Sequence, residues 1–272
     1  MNSVVAGWRP RDPGTTQYRG TLRTGAMAAL SAIALVAWVI TVTWANDMGN
    51  MPGTMGMSIV EFVAMWTLMM SAMMLPSVAP MSFLYSRTIT SKRTRRLGEF
   101  VSGYVAAWAA TGLAAFFLAW IAGRLAADAP TAAHVTAVVV FAGVGIYQLT
   151  PLKSRCLNHC RSPLGHMMHY ASFQGPLRHF NAGAHHGIFC LGCCWALMVL
   201  MVAFGVMNIW AMVGLAIVIA LEKLWRHGEL LSKTVGVASL ILAVLVIFRP
   251  ELAPGLNLDG MMNMGSTGMT NG

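Results

Sequence analysis

Between Ile188 and Leu221 the chain runs for 34 residues without an acidic or basic side chain. As one helix that stretch would be roughly 50 Å long at 1.5 Å per residue, far beyond a bilayer's hydrocarbon core of about 30 Å. A soluble fold has no place for it. Hydrophobic residues make up 57% of the 272 and charged residues only 10%, too few to cover such a core when an ordinary soluble chain carries about 25%. The reading is all-α: a single-domain, polytopic transmembrane helix bundle. A break near Asn208 divides the long run into two short helices joined by a tight turn. Hydropathy then gives seven spans, near residues 25–45, 59–84, 98–122, 131–150, 188–206, 208–224 and 232–248.

The basic residues test this division, because cytoplasmic segments are enriched in Lys and Arg. With the N-terminus inside and the C-terminus outside, 16 of the 18 basic residues fall inside, and only Arg124 and Arg249 fall outside. Fusing the fifth and sixth spans would put Lys223, Arg226 and Lys233 on the wrong side. Topology thus accounts for the net charge of +9, and a nucleic-acid partner is not expected. The parts are a cytoplasmic basic arm (1–24), the bundle (25–250) with a cytoplasmic Cys/His loop (151–187), and an extracytoplasmic Met-rich tail (251–272). The first span has no convincing small-x-small cleavage site and reads as an uncleaved anchor. No lipidation motif or repeat stands out, and the expected location is the bacterial cytoplasmic (inner) membrane.

All five cysteines fall in one stretch, as Cys156-Leu-Asn-His159-Cys160 and Cys190-Leu-Gly-Cys193-Cys194. His166, His169, His179, His185 and His186 lie between the two halves. Cytosolic thiols stay reduced, which disfavours a disulfide framework. Thiolates mixed with imidazoles suit a soft or borderline metal ion. Cys190, Cys193 and Cys194, spaced i, i+3 and i+4, share a helix face. They are expected to open a helix whose N-terminus favours thiolates. His185 and His186 offer a fourth ligand, and the 163–186 loop can bring Cys156, His159 and Cys160 to the same ion. A redox pair of Cys190 and Cys193 is the alternative chemistry; simple helix packing by Cys193 and Cys194 is the bland one.

Methionine takes over on the other side. The first outer loop carries Met48 and Met51, and the tail carries Met261, Met262 and Met264, among glycines and asparagines that hold no core. A thioether is a soft ligand for Cu(I) that forms no disulfide in an oxidising compartment. In the second span Met65, Met69 and Met73 stack along one face, extended by Met70 and Met74, although methionine there also serves as core filler. Pro76 and Pro80 are expected to kink or unwind the inner half of that span. Glu61, beside the Met-rich loop, is a further candidate ligand. Glu222, with Lys223 and Arg226 nearby, reads as structural, and His134 as an interfacial residue.

These residues carry a resemblance. Trp66-x-x-Met69-x-x-Ala72-Met73-Met74-x-Pro76-x-x-x-Pro80 is its first block. The second runs from Tyr147 through Pro151-Leu-Lys153 into Cys156 and His159-Cys160-Arg161-Ser-Pro163-Leu. The third is Gly187-Ile-Phe-Cys190-Leu-Gly192-Cys193-Cys194-Trp195 through Met207-Asn208 to Leu221-Glu222-Lys223. Over about residues 55–230 the chain resembles the bacterial predicted metal-binding integral membrane proteins of unknown function, sometimes labelled copper chaperones. The resemblance implies metal binding and a membrane location.

The combined expectation is a membrane protein that binds copper as Cu(I), with zinc as the alternative metal, and exchanges it with a copper-donating or copper-accepting protein. One rival is a membrane subunit or maturation factor of a copper-dependent oxidase or monooxygenase. The other is a zinc- or iron-sulfur-stabilised structural module. No general acid/base pair is evident, so no catalytic residue is assigned.

Overall fold

A computed structural model describes residues 13–48, 53–89, 91–161, 169–170 and 172–256. Among them the chain forms eight α-helices: α1 (Pro13–Met48), α2 (Ile59–Thr88), α3 (Arg93–Asp128), α4 (Pro130–Leu149), α5 (Pro151–Arg161), α6 (Arg178–Phe204), α7 (Ile209–Leu224) and α8 (Gly228–Phe248). Two short 3-10 turns follow, Pro250–Leu252 and Pro254–Leu256. Six helices are long and apolar enough to cross a membrane: α1 over Ala28–Asn46, α2, α3, α4, α6 and α8. Large apolar side chains such as Val39, Phe117, Val139 and Ile241 point outward, the arrangement of a bundle whose solvent is hydrocarbon.

The long uncharged run does break at the expected place. Asn208 caps α7 by accepting from the Ala211 amide at 3.1 Å, and α7 then runs back beside α6. Its far end returns to the level of the cysteines, because the Lys223 ammonium lies 2.9 Å from Cys190 Sγ. With 16 residues, roughly 24 Å of helix, α7 is shorter than the six.

Cross-helix contacts sort the helix ends into two groups. At the cysteine end Tyr85 of α2 meets His179 of α6, Tyr104 of α3 meets Cys190, and Ser232 of α8 meets Gln148 of α4. At the opposite end His134 of α4 meets the Val246 carbonyl of α8 at 2.7 Å, and Gly255 packs on Gly205. The basic residues of the α2–α3 turn, α5, the start of α6 and the α7–α8 turn therefore share the cysteine end.

The closest helix contact is α3 against α6. A Cβ on Gly183 would stand 1.8 Å from the Phe100 carbonyl oxygen, and one on Gly103 would stand 2.0 Å from that of Phe180. Glycine at both positions lets the two backbones touch, the usual device where lipid offers no hydrophobic drive for association.

Three expectations need correction. α6 begins at Arg178 rather than near 188, because Ala182, Gly183 and Gly187 extend the buried face against α3. The 151–161 part of the expected loop is a helix; Pro151 suits its first turn, and Lys153 and Leu157 bury one side. Finally, α2 does not unwind at Pro76 and Pro80 but stays helical through both. Both rings sit one turn apart on the outward face while Met73, Met74, Val78 and Met81 remain packed inside.

Candidate metal centre

α5 lies along α6 through residues spaced i, i+3, i+4 and i+7. Lys153 and Leu157 are buried between them, Cys156 sits over Gly192, and Cys160 reaches Cys193. A Cβ at Gly192 would come to 3.2 Å from Cys156 Sγ, so the missing side chain lets α5 approach. This approach leaves Cys160 Sγ and Cys193 Sγ 3.7 Å apart. Two sulfurs each about 2.3 Å from a shared tetrahedral ion would stand about 3.8 Å apart. The Cys160 thiol donates a hydrogen bond to Cys193 at this separation, and the two sulfurs are close enough to share one ion.

Cys190, Cys193 and Cys194 are all buried, and all five cysteines are free thiols. Cys193 and Cys194 each donate to the Cys190 carbonyl, at 3.1 and 2.9 Å. The Cys190 thiol has other company. It hydrogen-bonds the Tyr104 hydroxyl at 2.9 Å and receives the Lys223 ammonium at 2.9 Å. Lys223 also reaches Ser77 Oγ at 3.4 Å and Met74 Sδ at 3.9 Å. The helix-start argument for these thiols does not apply, since Cys190 lies three turns inside α6; the nearby positive charge is Lys223.

These groups border a cavity of about 90 Å3 between α2, α3, α5, α6 and α7. Cys160, Cys190, His186, Tyr104, Lys223 and Met81 line it. Outside the spanning helices, the hydrogen bond to Cys193, together with burial, holds the Cys160 thiol well above the usual thiol range. Burial also raises Cys156, aided by Cys193 and opposed by Lys153. Metal entry must therefore displace protons.

A buried ionic network braces the centre from behind. Lys153 pairs with Glu222 at 2.7 Å and donates to the Cys193 carbonyl. Gln148 donates to Glu222 at 3.0 Å, and Tyr147 donates to the Gly192 carbonyl. The cysteine-bearing turn of α6 is thus gripped by α4, α5 and α7.

The expected ligands divide into groups. Cys160, Cys190 and His186 line the cavity and Cys193 stands against Cys160, whereas Cys194 turns to its own helix and Cys156 faces Gly192. His186 Nδ1 is 3.3 Å from the Tyr170 hydroxyl. His159 and His185 do not line the cavity; they stand in an aromatic group with Phe189. Among the described residues, no three His, Cys, Asp or Glu side chains close on a single point as a metal site.

The methionine candidates are also separated. Met65, Met69, Met73 and Met74 are buried in the bundle, with Met74 touching Lys223. Met51, Met261, Met262 and Met264 lie outside the described residues, and the side chain of Met48 is likewise not described. Glu61 is occupied as a helix cap: its carboxylate accepts from the Ser58 amide at 2.9 Å and hydroxyl at 2.8 Å.

Tyr104, Lys153 and Lys223 were not singled out from sequence. Lys223 had a signal, a cation at the end of the uncharged run that returns to the cysteines. Tyr104 had none.

A family model described as "Copper chaperone" (PpoB2) matches residues 63–246, more than half of the chain. Comparison with curated proteins and with solved structures returns no match. With its copper-family match over the very helices that build the thiol cavity, this chain belongs to the copper chaperone family as a multi-pass helical membrane protein.

Proposed function

We propose that the protein handles Cu(I) as cargo, taking it up at the thiol cavity and passing it to, or holding it for, another membrane or extracytoplasmic copper protein. The observation that carries this reading is the 3.7 Å separation of Cys160 and Cys193 beside the Lys223–Cys190 contact. Thiolates are soft ligands that suit Cu(I). Charge favours the monovalent ion too: Cu(I) with two thiolates carries one net negative charge, and Lys223 neutralises it in a buried place. Unpaired charge there would be costly.

In this reading the cysteine end, where the basic residues collect, faces the cytoplasm, and α7 completes seven crossings with its partner α6. The buried methionines of α2 offer neutral thioethers between the cavity and the far side. The Met-rich segments 48–57 and 261–269 would meet the copper partner there.

Metal analysis of the full-length protein purified in detergent tests the proposal. The wild type should retain copper, and Cys160→Ser with Cys193→Ser should lose it without losing the folded protein. Stoichiometric zinc in place of copper would overturn the reading.

A further inference from the structure

The thiol cavity is lopsided in charge. Lys223 and Arg161 both border it, and no Asp or Glu does. Glu222, next to Lys223 in the chain, turns instead to Lys153 and Gln148. Lys223 is committed inward, to Cys190 Sγ and Ser77 Oγ. Arg161 is committed to the rim. Its Nη2 donates to the Trp225 and Arg226 carbonyls at 2.7 and 3.0 Å, just past the end of α7 at Leu224. The guanidinium is thereby tied across the end of that helix. Both bonds use one terminal nitrogen, which leaves three of the five N–H groups. Among the described residues no carboxylate pairs with it.

The rim is also where the cavity opens. Pro80 of α2 and Leu224 of α7 line it and are exposed, and Leu84 and Arg161 beside them are half-buried. The opening lies between α2 and the joined ends of α5 and α7, with Arg161 on its edge.

Charge at this opening asks for an anion. Cu(I) on the thiolates of Cys160 and Cys193 carries one negative charge, which the Lys223 ammonium offsets. Arg161 then stands as an unmatched positive charge at the rim. A carboxylate is its fitting partner, because a guanidinium binds one through two parallel N–H bonds. Size narrows the class further. The cavity of about 90 Å3 has the space of about three waters at ~30 Å3 each. That admits a thiol sulfur with its ion, and not the loop of a donor protein.

We propose that the cavity is loaded by a small thiol bearing a carboxylate, which arrives as its Cu(I) complex while Arg161 holds the carboxylate at the rim. This inference rests on the copper-handling reading above and names the carrier. Delivery is ligand exchange without redox change. The incoming complex has two copper–thiolate bonds. As each breaks, a bond from copper to Cys160 or Cys193 sulfur forms, and the proton of that cysteine passes to the departing carrier sulfur. Copper stays Cu(I), and two protonated carrier thiols leave.

The test mixes the full-length protein in detergent, without oxygen, with Cu(I) held by mercaptopropionate or by mercaptoethanol. The two thiols differ in a carboxylate against a hydroxyl, and protein-bound copper is counted after rapid desalting. The wild type should load at least about tenfold faster from the mercaptopropionate complex, the low end of what charge steering gives. Arg161→Gln should lose that preference, and Arg161→Lys should keep most of it. Equal loading of the wild type from the two complexes, or a preference undiminished in Arg161→Gln, overturns the carrier. Copper that still binds the wild type in those cases, and is lost in Cys160→Ser with Cys193→Ser, leaves the copper-handling reading standing. No copper on the wild type from either complex overturns both, so the two failures are distinguishable.

Discussion

Lys153 on α5 and Glu222 on α7 form an ion pair of 2.7 Å with side-chain exposures of 1% and 2%. Each has a second duty: Lys153 holds the Cys193 carbonyl, and Glu222 accepts from Gln148 of α4. The pair is thus the joint that fixes the helix bearing Cys160 relative to the helix bearing Cys193. Its location behind the thiols, rather than in the cavity, separates a bracing role from a ligand role.

Breaking that joint from one side should be costly. Glu222→Gln leaves a buried ammonium without its counter-charge, a change worth about 3–5 kcal/mol in comparable pairs. Thermal unfolding in detergent should show a marked loss of stability. The double variant Lys153→Met with Glu222→Leu should recover most of it. A single variant as stable as the wild type contradicts the assignment.

Lys223 should act on affinity and on metal choice. Lys223→Met keeps a similar bulk and removes the charge that offsets a Cu(I)–dithiolate unit. Cu(I) affinity should fall by at least about tenfold, equivalent to about 1.4 kcal/mol. Zn(II) with two thiolates is already neutral, so its affinity should change less or rise. Equal losses for the two ions would argue against charge compensation.

Cys156 should be slow to alkylate. Its thiol lies above the ordinary range because it is partly buried and lies near the Cys193 sulfur, and only the thiolate reacts. A raised pKa means more proton retained at a given pH, so the pH profile of Cys156 modification must move upward from that of free cysteine. Peptide mass spectrometry after timed iodoacetamide treatment reads this directly. A profile at or below that of free cysteine would refute it.

The two ends should differ in accessibility. Arg95 and Glu251 are both exposed, at 75% and 58% of their side chains, on opposite ends of the bundle. In spheroplasts an impermeant maleimide should label Glu251→Cys, and should label Arg95→Cys only after lysis. The reverse pattern would invert the orientation.

Much of the fold was legible in sequence because lipid imposes a simple rule on the chain. Charge-free runs located the helices, and Asn208 marked the turn between α6 and α7 as the only short polar residue able to cap there. What sequence concealed was the cysteine end of the bundle. Residues 151–161 and 178–187 are too polar to register as membrane helix, yet they are helical because narrow faces of Lys153, Leu157, Ala182 and Gly183 find partners. The candidate site was half legible. Cys and His types marked the cluster as a candidate, but spacing along the chain does not reveal that Cys160 meets Cys193 while His185 packs on His169. Those pairings depend on how α5 crosses α6 at Gly192.

The central claim is that sulfur from both helices holds Cu(I), and X-ray absorption at the copper edge tests it most directly. On protein loaded with one Cu(I) and purified in detergent, the account predicts a shell dominated by sulfur that is lost in Cys160→Ser with Cys193→Ser. A shell of nitrogen and oxygen alone, or a sulfur shell unchanged in that variant, would contradict it.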